Sequence, residues 1–103
     1  MPGVSFIPRT YPLELYAGDG VELRLTVGGV AALDGEVFAE IRQNRDDDAA
    51  RDAFTAAVTG NVVTLTLTGA QTAGLGAFRG AWDCEWRAPD REPLTLVQGP
   101  ITC

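Results

Sequence analysis

The densest group of potential metal ligands is Asp46-Asp47-Asp48 with Asp52, flanked by Arg42, Arg45 and Arg51. Carboxylates at positions 46 and 48 resemble the opening of a calcium loop, but the glycine and the closing glutamate of that pattern are missing. The expectation is a solvated loop whose charges partly compensate one another and can serve as a salt-sensitive contact surface. Fourteen acidic residues also invite a search for the paired carboxylates of glycoside hydrolysis. Glu22, Glu40, Asp83 and Glu85 fall on outward strand positions, where solvation keeps them ordinary, and no pair stands out. Trp82 and Trp86 would make a sugar-stacking platform if exposed. They share a face with Cys84 in an apolar alternation, which favours core packing.

Other chemistry is excluded by absence. The 103 residues contain no histidine, every basic residue is arginine, and Ser5 is the only serine. There is no imidazole base, no lysine for a Schiff base, no Ser–His pair and no histidine ligand. No catalytic residue, metal or cofactor is therefore expected, and the composition favours a binding or structural protein. A formal charge of −6 repels the phosphates of nucleic acid. No long apolar run suggests a membrane span, and the first residues lack the basic and apolar regions of a secretory signal.

The elements that must position these residues are strands. From Leu13 onward the dominant signal is alternation with period two. Val21, Leu23, Leu25 and Val27 point one way and Glu22, Arg24 and Thr26 the other. After a turn at Gly28-Gly29, Val37, Ala39 and Ile41 point inward against Phe38, Glu40 and Arg42. Phe54, Ala56 and Val58 form a further strand, joined by a tight turn at Gly60-Asn61 to Val63, Leu65 and Leu67. Thr68-Gly69-Ala70-Gln71 is a capping box that predicts a short helical turn through Ala73, ended by Gly74 and Gly76. Phe78, Gly80, Trp82, Cys84 and Trp86 share one face of a long strand. Pro89-Asp90 turns into the last strand, Leu94 to Ile101, where the alternation changes phase and a bulge near Leu96 to Gln98 is expected.

With Leu13–Tyr16 the count is about seven strands and one helical turn, which predicts an all-β, antiparallel, Ig-like β-sandwich over residues 13–103. A small barrel would use the same strands. A hairpin about Asp90 sets Cys84 opposite approximately Thr95 and leaves Cys103 ~27 Å further along. That is too far for a disulfide. Residues 1–12 carry Pro2, Pro8 and Pro12 among Val4, Phe6, Ile7 and Tyr11. They read as an extended arm, laid either on the domain's own edge or on a neighbouring subunit.

Five fragments carry a resemblance: Ala17-Gly18-Asp19 before Val21-Glu22-Leu23-Arg24-Leu25; Leu33-Asp34-Gly35 before Val37-Phe38-Ala39-Glu40-Ile41-Arg42; Leu65-Thr66-Leu67-Thr68 before Gln71-Thr72-Ala73; Trp82-Asp83-Cys84-Glu85; and Leu96-Val97-Gln98-Gly99. In order and spacing the chain is similar to the Ig-like β-sandwich modules of tailed-bacteriophage structural proteins, including the N-terminal module of phage baseplate upper proteins. The resemblance implies an accessory virion protein made in the bacterial host cytoplasm. It would be a capsid decoration or a minor head–tail or tail protein, binding capsid, connector or tail subunits without catalysis. Self-association is compatible with that role. The expected partner-binding residues are Phe6, Ile7, Tyr11 and Phe38. The competing expectation is a carbohydrate-binding module that contacts the host cell surface through Trp82 and Trp86.

Overall fold

The alternating segments become strands in two sheets, and the computed structural model describes residues 9–89 and 92–103. In chain order the elements are β1 (Arg9–Thr10), β2 (Leu13–Glu14), β3 (Val21–Thr26), β4 (Glu36–Arg42), β5 (Asp52–Ala53), β6 (Thr55–Thr59), β7 (Val62–Leu67), α1 (Gly69–Leu75), β8 (Arg79–Arg87) and β9 (Leu94–Thr102). The larger sheet has the order β1-β9-β8-β4-β5, with β2 also on β9, and the smaller is β3-β7-β6. Between them lies a core in which Ile41, Val63, Leu65, Cys84 and Ile101 are fully buried. The result is an all-β, sandwich-like fold with one short helix.

Local signals explain much of this. Thr59 pairs with Val62 across Gly60-Asn61, a two-residue hairpin in which Gly60 takes the positive φ of 60° that a side chain would resist. At α1 both halves of the capping box form. The Gln71 N–H donates to Thr68 Oγ1 at 3.1 Å, and Gln71 Oε1 accepts from the Thr68 N–H at 2.9 Å. In β9 the register shifts between Cys84 and Glu85, whose partners are Val97 and Thr95, so Leu96 is the extra residue. The bulge turns both Leu96 and Val97 into the core, as their broken alternation requires.

Several expectations are corrected. The sheet is not purely antiparallel: Arg9 and Thr10 run parallel to Val97 and Gln98, and Leu13 and Glu14 parallel to Ile101 and Thr102. The strand expected over Leu13–Tyr16 ends at Glu14, although the Leu15 N–H still donates to the Thr102 carbonyl at 2.7 Å. The strand expected through Phe54, Ala56 and Val58 is divided, because the chain changes sheets there. Asp52 and Ala53 pair with β4, while Thr55–Thr59 pair with β7. Phe54, buried at the crossing, donates its N–H to Ala39, and Val58 is left exposed on the outermost strand. The helix continues past Gly74 to Leu75 because Thr72 and Leu75 are buried, and packing outweighs the cost of ~1 kcal/mol for an interior glycine. Cys84 stands opposite Val97, two residues beyond Thr95, because of the bulge. Cys103 pairs through its backbone with Phe78, ~20 Å of strand from Cys84, and both cysteines are free thiols.

Candidate interaction surface

The outer face of the larger sheet carries most of the charged side chains that its register brings together. Glu40 stands opposite Asp83, which stands opposite Gln98 on β9. Two facing carboxylates would repel each other. Arg42, two residues along from Glu40, resolves this by donating from Nη2 to Glu40 Oε1 at 2.5 Å and from Nη1 to Asp83 Oδ2 at 3.2 Å. Its side chain is only 17% exposed. Burial by itself would lower the Arg42 pKa, but Asp83 and Glu40 more than offset that, and it is raised. These carboxylates are thus not the ordinary solvated groups expected of outward positions. Arg42, Arg45, Ala81, Trp82, Asp83 and Gln98 line a shallow dent beside this triad.

Asp83 has its pKa raised above 3.8, first by desolvation, with Glu40 and Glu85 adding to the rise and Arg42 opposing it. The folded chain therefore keeps a proton that the unfolded chain has already lost, so stability falls as pH rises through the window between the two values. Asp83→Asn removes this dependence. Urea midpoints measured from pH 3.5 upward should fall more steeply for the wild type than for the variant across that window. Parallel curves for the two proteins would contradict this assignment.

Phe38 sits further along the same face, 37% exposed. The Arg87 guanidinium lies 4.4 Å from its ring centroid and donates from Nε to Glu85 Oε1 at 2.7 Å. The pKa of Arg87 is raised, chiefly by that hydrogen bond. One side of the ring is thus occupied by the chain's own cation.

Tyr11 is held differently. Its N–H donates to the Gln98 carbonyl at 2.8 Å, and its own carbonyl accepts from the Trp82 indole Nε1–H at 2.8 Å. Its side chain remains outside, with the residue 55% exposed. Gly99 makes this seat possible, because a Cβ there would run into the Tyr11 backbone. Residues 9–12 therefore lie on the domain's own sheet edge and present an aromatic side chain from an immobilised backbone. Phe6 and Ile7 lie outside the described residues. Tyr11 and Phe38 are not brought together: β9 and β8 separate their strands, ~14 Å across the sheet. Tyr16, 70% exposed at the turn closed by the Asp19 N–H to the Tyr16 carbonyl, lies outside what the alternation identifies. Its signal was an aromatic residue directly before Ala17-Gly18-Asp19.

The remaining candidates are absorbed by the fold. Asp47 closes its own loop, accepting from the Asn44 N–H at 3.0 Å, and Asp52 accepts from Gln71 Nε2 at 3.0 Å. Among the described residues no three His, Cys, Asp or Glu side chains converge as a metal site. Burial, with Asp83 adding, pushes the Cys84 thiol up to about 12, so it is not a nucleophile at neutral pH. Trp82 and Trp86 are 2% and 3% exposed, which removes the sugar-stacking platform. Their indole N–H groups are spent on the carbonyls of Tyr11 and Asp34. No protein-family model and no curated protein sequence matches the chain.

Proposed function

We propose that the chain is an accessory structural protein of a tailed-phage virion, a capsid decoration or minor head–tail or tail protein with an Ig-like body. It binds repeated subunits and catalyses nothing. The Ig-like part of this reading is supported by strand order: β4-β8-β9 corresponds to the C-F-G strands and β3-β7-β6 to the B-E-D strands of the facing sheet, while β1 and β2 lie on β9 instead of beside β3. The observation that carries the binding role is Tyr11, a half-exposed aromatic side chain on a backbone fixed at both its N–H and its carbonyl. Such an anchor loses little conformational freedom on docking, the property expected of an interface hot spot. Phe38 is the weaker anchor because Arg87 already covers one side of it. The carbohydrate-binding alternative is set aside with the buried tryptophans that motivated it.

The test uses particles assembled with and without the gene. The protein should be found in purified particles at a fixed copy number, and purified protein should rebind particles that lack it. Deleting residues 1–12 would strip β1 from the sheet and confuse anchoring with folding, so the informative variants are removal of residues 2–8 and, separately, Tyr11→Ala. Loss of a hot-spot side chain is expected to weaken rebinding by about thirtyfold. Absence of the protein from particles would overturn the assignment. Unchanged rebinding by both variants would move the contact away from the N-terminal segment.

A further inference from the structure

Among the described residues the two sheets end in four strand edges, and they differ in what they offer. β5 is two residues long, and the β1–β2 edge is interrupted by Pro12, which has no N–H. β6 spans five residues without a charged side chain. β3 is the longest, six residues with neither proline nor bulge, and among the described residues it pairs with β7 alone.

The direction of its free hydrogen-bonding groups follows from one bond. The Val27 N–H donates to the Asn61 carbonyl at 2.9 Å, next to the Thr26–Val62 pair. In an antiparallel ladder hydrogen-bonded pairs alternate with non-bonded ones. The N–H and C=O groups of Val21, Leu23 and Leu25 are therefore turned to β7, and those of Glu22, Arg24 and Thr26 to the open edge. Side chains alternate in step: Glu22 and Arg24, whose Oε1 and Nη2 lie 3.8 Å apart along the strand, are exposed by 57% and 72%, while Val21, Leu23 and Leu25 face the core but are only half-buried.

We propose that β3 is a homodimerisation edge, at which two copies pair antiparallel about a twofold axis through Leu23. This register sets Glu22 opposite Arg24 of the partner subunit, and the reverse, so each carboxylate meets a guanidinium. Both residues belong to the set with outward N–H and C=O groups, so the same pair also exchanges main-chain hydrogen bonds. Leu23 meets its own copy on the inner face and Val21 meets Leu25 of the partner subunit, covering the half-buried apolar residues. The smaller sheet becomes a continuous one of six strands. Charges on an edge strand ordinarily discourage pairing with other chains. Here their order is complementary to itself, which selects a second copy over an unrelated strand. The dimer stands independently of the virion reading.

Charge reversal tests it in the full-length protein by sedimentation equilibrium over a range of concentrations. The wild type should dimerise. Glu22→Arg and Arg24→Glu should each weaken the dimer by about tenfold or more, since each turns both symmetric pairs repulsive. The double variant should restore it, and an equimolar mixture of the two single variants should form a heterodimer. Because both side chains are exposed, urea midpoints near the wild-type value will show that the fold is kept. A wild type that stays monomeric at every concentration, or a dimer indifferent to both reversals, overturns the proposal.

Discussion

Trp82→Ala should remove a large share of the domain's stability at 25 °C. The indole is 2% exposed and packs at 5.6 Å, tilted, against Phe54 at the point where the chain changes sheets. Truncating a buried tryptophan costs about 3–5 kcal/mol. A domain of this size has only ~5–15 kcal/mol in total. The alanine variant also leaves the Tyr11 carbonyl without its donor, so the loss extends to the N-terminal segment. Urea denaturation followed by far-UV circular dichroism reads the loss directly. Trp82→Phe separates the two contributions, because it keeps most of the apolar area and removes only the N–H. That variant should remain folded while amide exchange at Tyr11, bonded to Gln98, accelerates. If exchange there is unchanged, β9 alone holds the segment.

Thr72→Val is the second large effect, and it arises without any change of shape. Thr72 is completely buried, and its hydroxyl joins the helix to the loop before β3. Oγ1 accepts from the Gly18 N–H at 3.0 Å and donates to the Asp19 carbonyl at 2.8 Å, with the Gly69 carbonyl at 3.1 Å as a second acceptor. Valine fills the same volume and leaves both loop groups without this partner, a cost of about 1–3 kcal/mol. Gly18 and Asp19 are both exposed, so water recovers some of the lost bonding and the cost falls toward the lower end of that range. Thr72→Ser keeps the hydroxyl and gives up only a methyl group. Its urea midpoint should therefore lie nearer the wild type than that of Thr72→Val. The opposite order would mean that methyl packing, and not the hydroxyl bridge, ties α1 to the loop.

The parts of this structure that could be read beforehand are those whose cause is local. Which side of each strand is apolar follows from period two, and Val37, Ala39 and Ile41 or Val63, Leu65 and Leu67 face the core as their spacing requires. Thr68 and Gln71 lie close enough in sequence to meet in any helix that begins there. The phase change at Leu96–Val97 is visible for the same reason, because two adjacent apolar residues can both turn inward only at an irregularity. The site was less legible. Tyr11 stands out in the sequence as an aromatic residue of a proline-bearing segment, but its fixed backbone depends on Trp82 and Gln98, far along the chain. Phe38 is an outward aromatic by its alternation, and the cation that covers it comes from another strand.

By itself the sequence determined the chemistry that is missing, imidazole and amine above all, and the face that each strand turns to the core. Both follow from residue type and local spacing. Only the tertiary structure decided which strands became neighbours: that β1 and β2 run parallel to β9, that Phe54 marks a change of sheet, and that Glu40 faces Asp83 with Arg42 between them. Burial of apolar surface is non-directional, and alternation is the same whichever way a strand runs, so neither specifies a partner or a register. Those are set by contacts between residues distant in sequence. That β3, with its alternating Glu22 and Arg24, pairs among the described residues with β7 alone is a consequence of those contacts.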